Sequence, residues 1–490
     1  MNFAKAWILF ELVAGSTIFT FYLFSSLFLK RPTIRPFRED DRSYRPIAPV
    51  LSSATPPPSI VVLDSGSLSP MIIFSSYFYY LTNTTFGFQT IGFSKCRDEK
   101  EELMLIVGTQ AFPMNAKALN QFCPRTDEGK SCTWVDYSFY AEFPSEAGRH
   151  PSPNHKRVSL FVDRTIEPIR VQETATKARP EGLEVCVAPL FYFNHWVRII
   201  EFIEIYRQQK ASHFYIYVSS ASRLVIEMLK FYESAGLVTV VGWPELPKID
   251  SSTESIFRLG QNSAIQDCLR RSRAKFVAVV DLDDYIVTYG KPLLDFVTYT
   301  ERKNPNISAF SFAMVLALQK PHSGNLSNWN AIRFHGLESA LVGEDQLSTK
   351  AIVMPEKVES ANPHGPLYQR TIPESTTEFQ AFTVDKSRGV SYHTRYAPYF
   401  NANLKNPNQA NKKTKRIFSR NAVLKVNASF HKIMAEFSQN HTNLFTPATA
   451  VKMEICNSYE AGTCQMPYAS CRELMENVDE WIFLNETTDV

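Results

Sequence analysis

Lys275 to Val287 reads KFVAVVDLDDYIV. Phe276–Val280 is wholly apolar and rich in valine, and it breaks abruptly into Asp281, Asp283 and Asp284. A short apolar run of this kind, closed by polar residues, predicts a buried strand covered on both faces. Packing gives no reason for three carboxylates at its C-terminal edge. An unpaired buried charge is costly, so they face water or hold a cation. On an extended backbone Asp281 and Asp283 stand two apart, point the same way and can share one metal. Hard oxygen ligands suit Mn²⁺ or Mg²⁺, completed by phosphate oxygens and water. A solvated acidic turn after a core strand is the alternative, and the stretch alone does not decide between them.

Strand and helix signals alternate on the N-terminal side of this stretch. Val185–Leu190, Phe214–Val218 and Val238–Val241 are short apolar strand signals. After the first, Asn194 offers a helix N-cap, and Trp196, Ile199, Ile200, Ile203 and Tyr206 recur at helical spacing. Ser222–Ala235 carries a second stripe in Val225, Met228, Leu229 and Tyr232, stopped by Gly236. Ile256–Arg273 is a third helix. The alternation predicts a parallel sheet with both faces covered and ligands at the carboxyl ends of its strands. The aspartates stand at such an end. Neither GxGxxG nor the GxxxxGK phosphate loop occurs, so a dinucleotide fold and a P-loop lack support. A metal held by carboxylates would have to neutralise any phosphates, as it does where nucleotide sugars are the donors.

The chain has 490 residues and a formal net charge of +3, with 44% hydrophobic residues. That is ample for a large core and two domains, and no dense basic stripe points to nucleic acid. The cysteines form no CxxC pair, which argues against a zinc ribbon. Trp7–Leu29 is almost wholly apolar apart from Glu11, and its length suits a membrane-spanning helix better than a cleaved signal. Lys30, Arg31, Arg35 and Arg38 follow it, and by charge alone they would hold its C-terminal side in the cytoplasm. The N-x-S/T sequons at Asn83, Asn306, Asn325, Asn427, Asn440 and Asn485, with the cysteines, favour a lumenal body instead. We expect a single-pass type II anchor in the Golgi or endoplasmic reticulum. The Pro-rich stretch up to Ser59 reads as a stem. From Ile60 to Val162, strand-like runs at Ile60–Leu63, Met71–Leu81, Leu103–Val107, Trp134–Phe143 and Val158–Val162 predict a small β-rich domain. Arg164–Leu183 reads as a polar linker.

Cys186–Tyr217, the helix Gln261–Leu269 (QNSAIQDCL) and the DLDDYIV stretch together resemble glycosyltransferase family 92. Lys350–Val358 (KAIVMPEKV), His364, Tyr392–Arg395 (YHTR) and the basic residues Lys415 and Arg416 follow in the same order. The resemblance implies a GT-A-like mixed sheet flanked by helices, a divalent cation and inverting transfer from a nucleotide sugar. UDP-galactose is the implied donor and a glycan or glycoprotein the acceptor. Asp281, Asp283 and His364 become the expected metal ligands, and Gln261, Asp284, His393 and Arg395 the expected substrate contacts. Asp284 stands where the family usually shows Glu, and Thr394 where an aromatic is common.

Inverting transfer needs a base for the acceptor hydroxyl. In a GT-A-like chain the acceptor side is the second half, where Glu338, Glu344 and Asp345 are the candidates. Lys412, Lys413, Lys415 and Arg416 either form a solvated face or compensate a leaving diphosphate. The expected organisation is a tail over 1–6, an anchor over 7–29, a stem over 30–59, a β-rich domain over 60–180, a catalytic domain over 184–430 and a cysteine-containing appendix over 431–490. Two rivals remain. An aspartyl-phosphate-type phosphatase also places two aspartates after an apolar strand, the first as nucleophile. A catalytically inactive glycan-binding module would keep the fold without the chemistry.

Overall fold

The structure is a computed structural model that describes residues 61–63, 71–80, 85–95, 103–119, 134–144, 158–162, 165–173, 179–243, 256–319, 338–341, 348–371, 378–396, 412–413, 420–440, 452–453, 475 and 481–484. The expected anchor at 7–29 lies outside them. Among the described residues no helix is long and apolar enough to cross a membrane.

Residues 61–173 contribute only strands among those described. They are β1 (Val61–Leu63), β2 (Met71–Tyr80), β3 (Thr85–Lys95), β4 (Leu103–Val107), β5 (Gln110–Pro113), β6 (Asn115–Ala118), β7 (Trp134–Pro144), β8 (Val158–Val162), β9 (Thr165–Pro168) and β10 (Gln172–Glu173). One sheet runs β1-β2-β3-β7-β6, with β10 also on β2, and a second runs β5-β4-β8-β9. The β-rich expectation therefore holds, and the supposed linker after Arg164 carries the short strands β9 and β10. In β4 and β8 buried and half-buried residues alternate, as one-sided packing demands. In β2 and β3 almost every residue is buried. Met71, Ile73, Phe78, Phe86 and Phe88 face a core shared with Leu105 and Leu160. Ile72, Phe74 and Phe93 face the other way, into a core that belongs to the second half of the chain.

That half is built on a mixed sheet. Its strands are β11 (Leu183–Leu190), β12 (Ala211–Val218), β13 (Ser220–Ser222), β14 (Val238–Gly242), β15 (Phe276–Val280), β16 (Asp284–Thr288), β17 (Ile307–Gln319), β18 (Glu338–Leu341), β19 (Thr349–Val353), β20 (Val358–Asn362), β21 (Gly365–Gln369), β22 (Gln380–Val384), β23 (Gly389–Tyr396), β24 (Lys412–Lys413) and β25 (Trp481–Phe483). Its helices are α1 (Trp196–Gln208), α2 (Arg223–Ser234), α3 (Gln261–Arg271), α4 (Leu293–Lys303) and α5 (Arg420–Asn440). The mixed sheet's order is β14-β12-β11-β15-β19-β17-β18-β24, with β16, β22 and β23 joined to it, while β13-β25 and β20-β21 are separate two-stranded sheets. The first four strands are parallel, whereas β19 runs antiparallel to both β15 and β17.

β15 explains why its residues are all apolar. Phe276, Ala278 and Val280 enter one core, and Val277 and Val279 enter the other. Strand order reverses between β11 and β15, because β11 is followed by β12 on one side and β15 returns on the other. The carboxyl end of β15 is thus a topological switch point, where open sheets of this kind take ligands.

Two local expectations need correction. The cap residue of α1 is His195, not Asn194. The third helix starts at Gln261 rather than Ile256, because Arg258, Leu259 and Gly260 have φ of 43°, 54° and 79°. The catalytic boundary at 430 falls inside α5, whose Trp196–Phe437 ring stack (5.8 Å) ties it to α1. Residues 52–490 form one compact unit.

Candidate active site

β15 ends at Val280, and the chain turns at once. The Asp284 N–H donates to the Asp281 carbonyl (3.0 Å), which closes a four-residue turn. Asp284 Oδ2 in turn accepts the Asp281 N–H (3.2 Å). The two-residue alternation expected of an extended backbone therefore does not apply at Asp281 and Asp283. Their side chains have different partners.

Asp281 is locked. Its Oδ2 meets Lys350 Nζ at 2.6 Å and its Oδ1 accepts from Gln261 Nε2 at 3.3 Å. Lys350 comes from β19, whose register places Ala351 opposite Val279. Only 3% exposed, it also reaches Asp284 Oδ2 at 2.7 Å. Burial disfavours the Lys350 ammonium, but Asp281 and Asp284 outweigh it and hold its pKa above the ordinary lysine value. Asp284 is fully buried. Burial pushes its carboxyl up, yet Lys350 and then His393 outweigh burial, and the group stays well below the carboxylate range.

The second set forms where β16 pairs with β23, in a register that puts Asp284 opposite His393. His393 Nδ1 lies 2.7 Å from Asp284 Oδ1 and 3.8 Å from Asp283 Oδ1. Since Asp284 is ionised, Nδ1 donates. Asp283 is fixed through its backbone. Its carbonyl accepts both the Thr394 N–H (2.8 Å) and the Thr394 hydroxyl (3.0 Å). The buried Arg198 guanidinium from α1 donates to that hydroxyl at 3.0 Å. Tyr206 OH donates to the Asp284 carbonyl and accepts the Ile286 N–H, which pins the start of β16 to α1.

Asp283, Asp284 and His393 offer ligand atoms that all lie within 4.8 Å of one another. Neighbouring ligands at about 2.1 Å from an octahedral ion stand roughly 3 Å apart, and the two His393 distances bracket that spacing. Carboxylate oxygens with one imidazole suit Mn²⁺ or Mg²⁺. Asp281 and Asp284 share the Lys350 ammonium. The residues fit a divalent cation, provided Nδ1 gives up the proton it donates to Asp284.

Of the expected ligand set of Asp281, Asp283 and His364, the geometry groups only Asp283, and it does so with Asp284 and His393. His364 sits at the β20–β21 turn, its Nδ1 2.8 Å from the Thr349 carbonyl and outside the cluster. His393 and Asp284, expected to touch substrate, face each other, and Gln261 donates to Asp281. Arg395 is in β23 opposite Leu318. Glu338 lies in β18, in register with Leu318 and Lys413. Glu344 and Asp345 lie outside the described residues. Sequence reasoning missed Lys350 and Arg198. A lone lysine inside the apolar strand TKAIV was the available signal, because a buried lysine needs a carboxylate. In the phosphatase alternative the nucleophile would be Asp281, whose oxygens accept from Lys350 and Gln261.

Residues 181–434, more than half of the chain, match the family model described as Glycosyltransferase family 92. Two curated relatives from Caenorhabditis elegans, each a glycosyltransferase family 92 protein, are 24% identical. The first match covers 48% of this chain and 46% of the relative, and the second 47% and 44%. The chain spans about half the length of the curated relatives it matches. Among solved structures, Staphylococcus aureus TarS is similar over 56% of this chain and 80% of its own, at 14% identity and a TM-score of 0.25. The mannosyltransferase PcManGT from Pyrobaculum calidifontis, in complex with GDP-Man and Mn²⁺, is similar over 61% and 85%, at 12% identity and a TM-score of 0.25.

Proposed function

Since the chain belongs to glycosyltransferase family 92, we propose that it moves a sugar from a nucleotide donor to a hydroxyl of a glycan or glycoprotein acceptor. The observation that carries this reading is the convergence of Asp283, Asp284 and His393 at the end of β15, inside the matched region. UDP-galactose is the donor favoured by the family resemblance, with inversion at the transferred carbon.

Asp283, Asp284 and His393 would hold Mn²⁺ or Mg²⁺. When bound, the cation supplies Lewis-acid stabilisation of a leaving diphosphate. The rest is the work of the chain. Thr394 and Arg198 hold the Asp283 backbone still. Lys350 cancels part of the charge that would repel the donor's phosphates. A carboxylate of the second half takes the acceptor proton, and Glu338, Glu344 and Asp345 are the candidates. Gln261 and Arg395 stand as secondary donor contacts.

On this reading the body works in the lumen of the Golgi or endoplasmic reticulum, behind a type II anchor at 7–29. The buried Cys186–Cys268 disulfide, which ties β11 to α3, supports an oxidising compartment.

The test is a screen of UDP- and GDP-sugars with purified protein, Mn²⁺ and a panel of glycan acceptors. Acceptor-dependent release of nucleotide diphosphate, abolished by chelator, is the expected result. Release of inorganic phosphate from an aryl phosphate, with no sugar transferred from any donor, would overturn it.

A further inference from the structure

Lys350 does more than offset charge, because it sits at the centre of the acidic cluster. Its ammonium bridges Asp281 Oδ2 at 2.6 Å and Asp284 Oδ2 at 2.7 Å. Cations are held between carboxylates in the same way. The remaining Asp281 oxygen accepts from Gln261 Nε2 at 3.3 Å, and Asp281 lies outside the group of Asp283, Asp284 and His393. The remaining Asp284 oxygen, Oδ1, faces His393, and so does Asp283 Oδ1. The cluster therefore has two halves that share Asp284. One is closed by an ammonium that cannot leave, and the other is lined by an imidazole that can be displaced as a hydrogen-bond donor.

We propose that the Lys350 ammonium is the resident cation at the end of β15, taking Asp281 out of metal coordination and leaving Asp283, Asp284 and His393 to hold the exchangeable ion. This rests on the metal-assisted transfer proposed above, and it reverses the simplest reading of the sequence, in which Asp281 is a metal ligand. Lys350 is a positioning residue. It fixes the Asp284 carboxylate so that Oδ1 points at His393, and it reduces the charge that the exchangeable ion must neutralise. Removing the ammonium would open a second cation position between Asp281 and Asp284 and raise the pull on a divalent ion. The shared Asp284 makes the two positions compete for one carboxylate.

The experiment measures Mn²⁺ binding to the full chain by titration calorimetry, with nucleotide sugar absent, for the wild type, Asp281→Asn, Asp283→Asn, Lys350→Ala and the Lys350→Ala/Asp281→Asn pair. Asp281→Asn should bind Mn²⁺ within about threefold of the wild type, while Asp283→Asn should lose binding by more than about a hundredfold. Lys350→Ala should bind about tenfold more tightly, and adding Asp281→Asn should cancel that gain. A merely structural lysine would give no gain that depends on Asp281. Loss of Mn²⁺ binding in Asp281→Asn equal to that in Asp283→Asn overturns the inference and leaves the transferase reading standing. No Mn²⁺ binding by the wild type overturns it as well. Absence of sugar transfer, with the binding pattern as expected, sinks the transferase reading and not this one. If Lys350→Ala folds only with Mn²⁺ present, the ion has replaced the ammonium, in support. If it does not fold at all, the comparison of Asp281→Asn with Asp283→Asn decides alone.

Discussion

Asp283 is tied to Thr394 through its backbone carbonyl, while its carboxylate faces His393, so function and folding can be tested separately at this position. Asp283→Asn should lower transfer by more than about a hundredfold, with little change in the melting temperature. Thr394→Val keeps the buried volume but removes the hydroxyl that links Arg198 to the Asp283 carbonyl. It should cost roughly tenfold in activity, and initial rates alongside thermal melts check both. Asp136 is a different case. It is fully buried, with Oδ1 accepting the Ser263 N–H at 2.9 Å. Burial, opposed by Ser263, pushes its pKa from 3.8 up to about 6. A raised carboxyl adds stability that is complete below the unfolded value and is lost as pH rises through the folded one. A rise of this size corresponds to about 2–3 kcal/mol, lost between about pH 4 and 7. Asp136→Asn should flatten the melting temperature over that window, and an unchanged pH slope would remove Asp136 as its source.

α3 shows what an element needs besides its own sequence. Arg258, Leu259 and Gly260 form a left-handed turn before it, and a Cβ on Gly260 would stand 2.8 Å from the Phe93 and Trp243 rings. Gly260→Ala should destabilise by about 2–4 kcal/mol, from backbone strain and overpacking together, as chemical denaturation would measure. The helical spacing of Ile256–Arg273 gives no hint of that turn, since propensity is blind to a contact made by a strand more than a hundred residues away. The apolar strands were legible because both of their faces meet protein, which leaves a continuous hydrophobic signature in β11 and β15. The acidic cluster was legible in composition: Asp283, Asp284 and His393 all stood among the candidates. Their grouping was not, because it depends on a turn hydrogen bond at Asp281 and on the β16–β23 register. Lys350 carried a signal in its apolar surroundings, but its two partners lie on another strand and a turn.

At the scale of the whole molecule, the β-rich residues 61–173 are bound to the mixed sheet through the polar side of α3. Asn262, Ser263, Gln266, Asp267 and Arg270 are all buried. Their partners come largely from the β-rich strands. Asn262 reaches the Leu119 carbonyl at 3.3 Å, and Ser263 N–H reaches Asp136. Asp267 accepts from Tyr77 of β2 and Tyr217 of β12 and pairs with Arg271. Arg270 donates to Gln89 of β3 and lies over the Tyr79 ring at 4.3 Å. Burial, with Arg370 beside it, pushes Arg270 down to about 9, so the guanidinium stays charged near neutral pH and needs partners for its donors. Removing the β-rich strands would leave Asp267 without Tyr77, Arg270 without Gln89, and the apolar residues around Trp243 without Phe74 and Phe93. The polar groups would be rehydrated, but the apolar faces that Ile72, Phe74, Phe93 and Trp134 cover would meet water, at about 1.5–3 kcal/mol for each side chain lost from the core, a loss comparable with the roughly 5–15 kcal/mol that holds a domain folded. A fragment beginning at residue 179 should therefore fail to fold, even though it retains Asp283, Asp284, His393 and the whole of the family match. Circular dichroism, tryptophan emission and Mn²⁺-dependent thermal stabilisation would check this. A fragment with a cooperative melt and wild-type Mn²⁺ affinity would show that α3 keeps its shape without the strands that bury it.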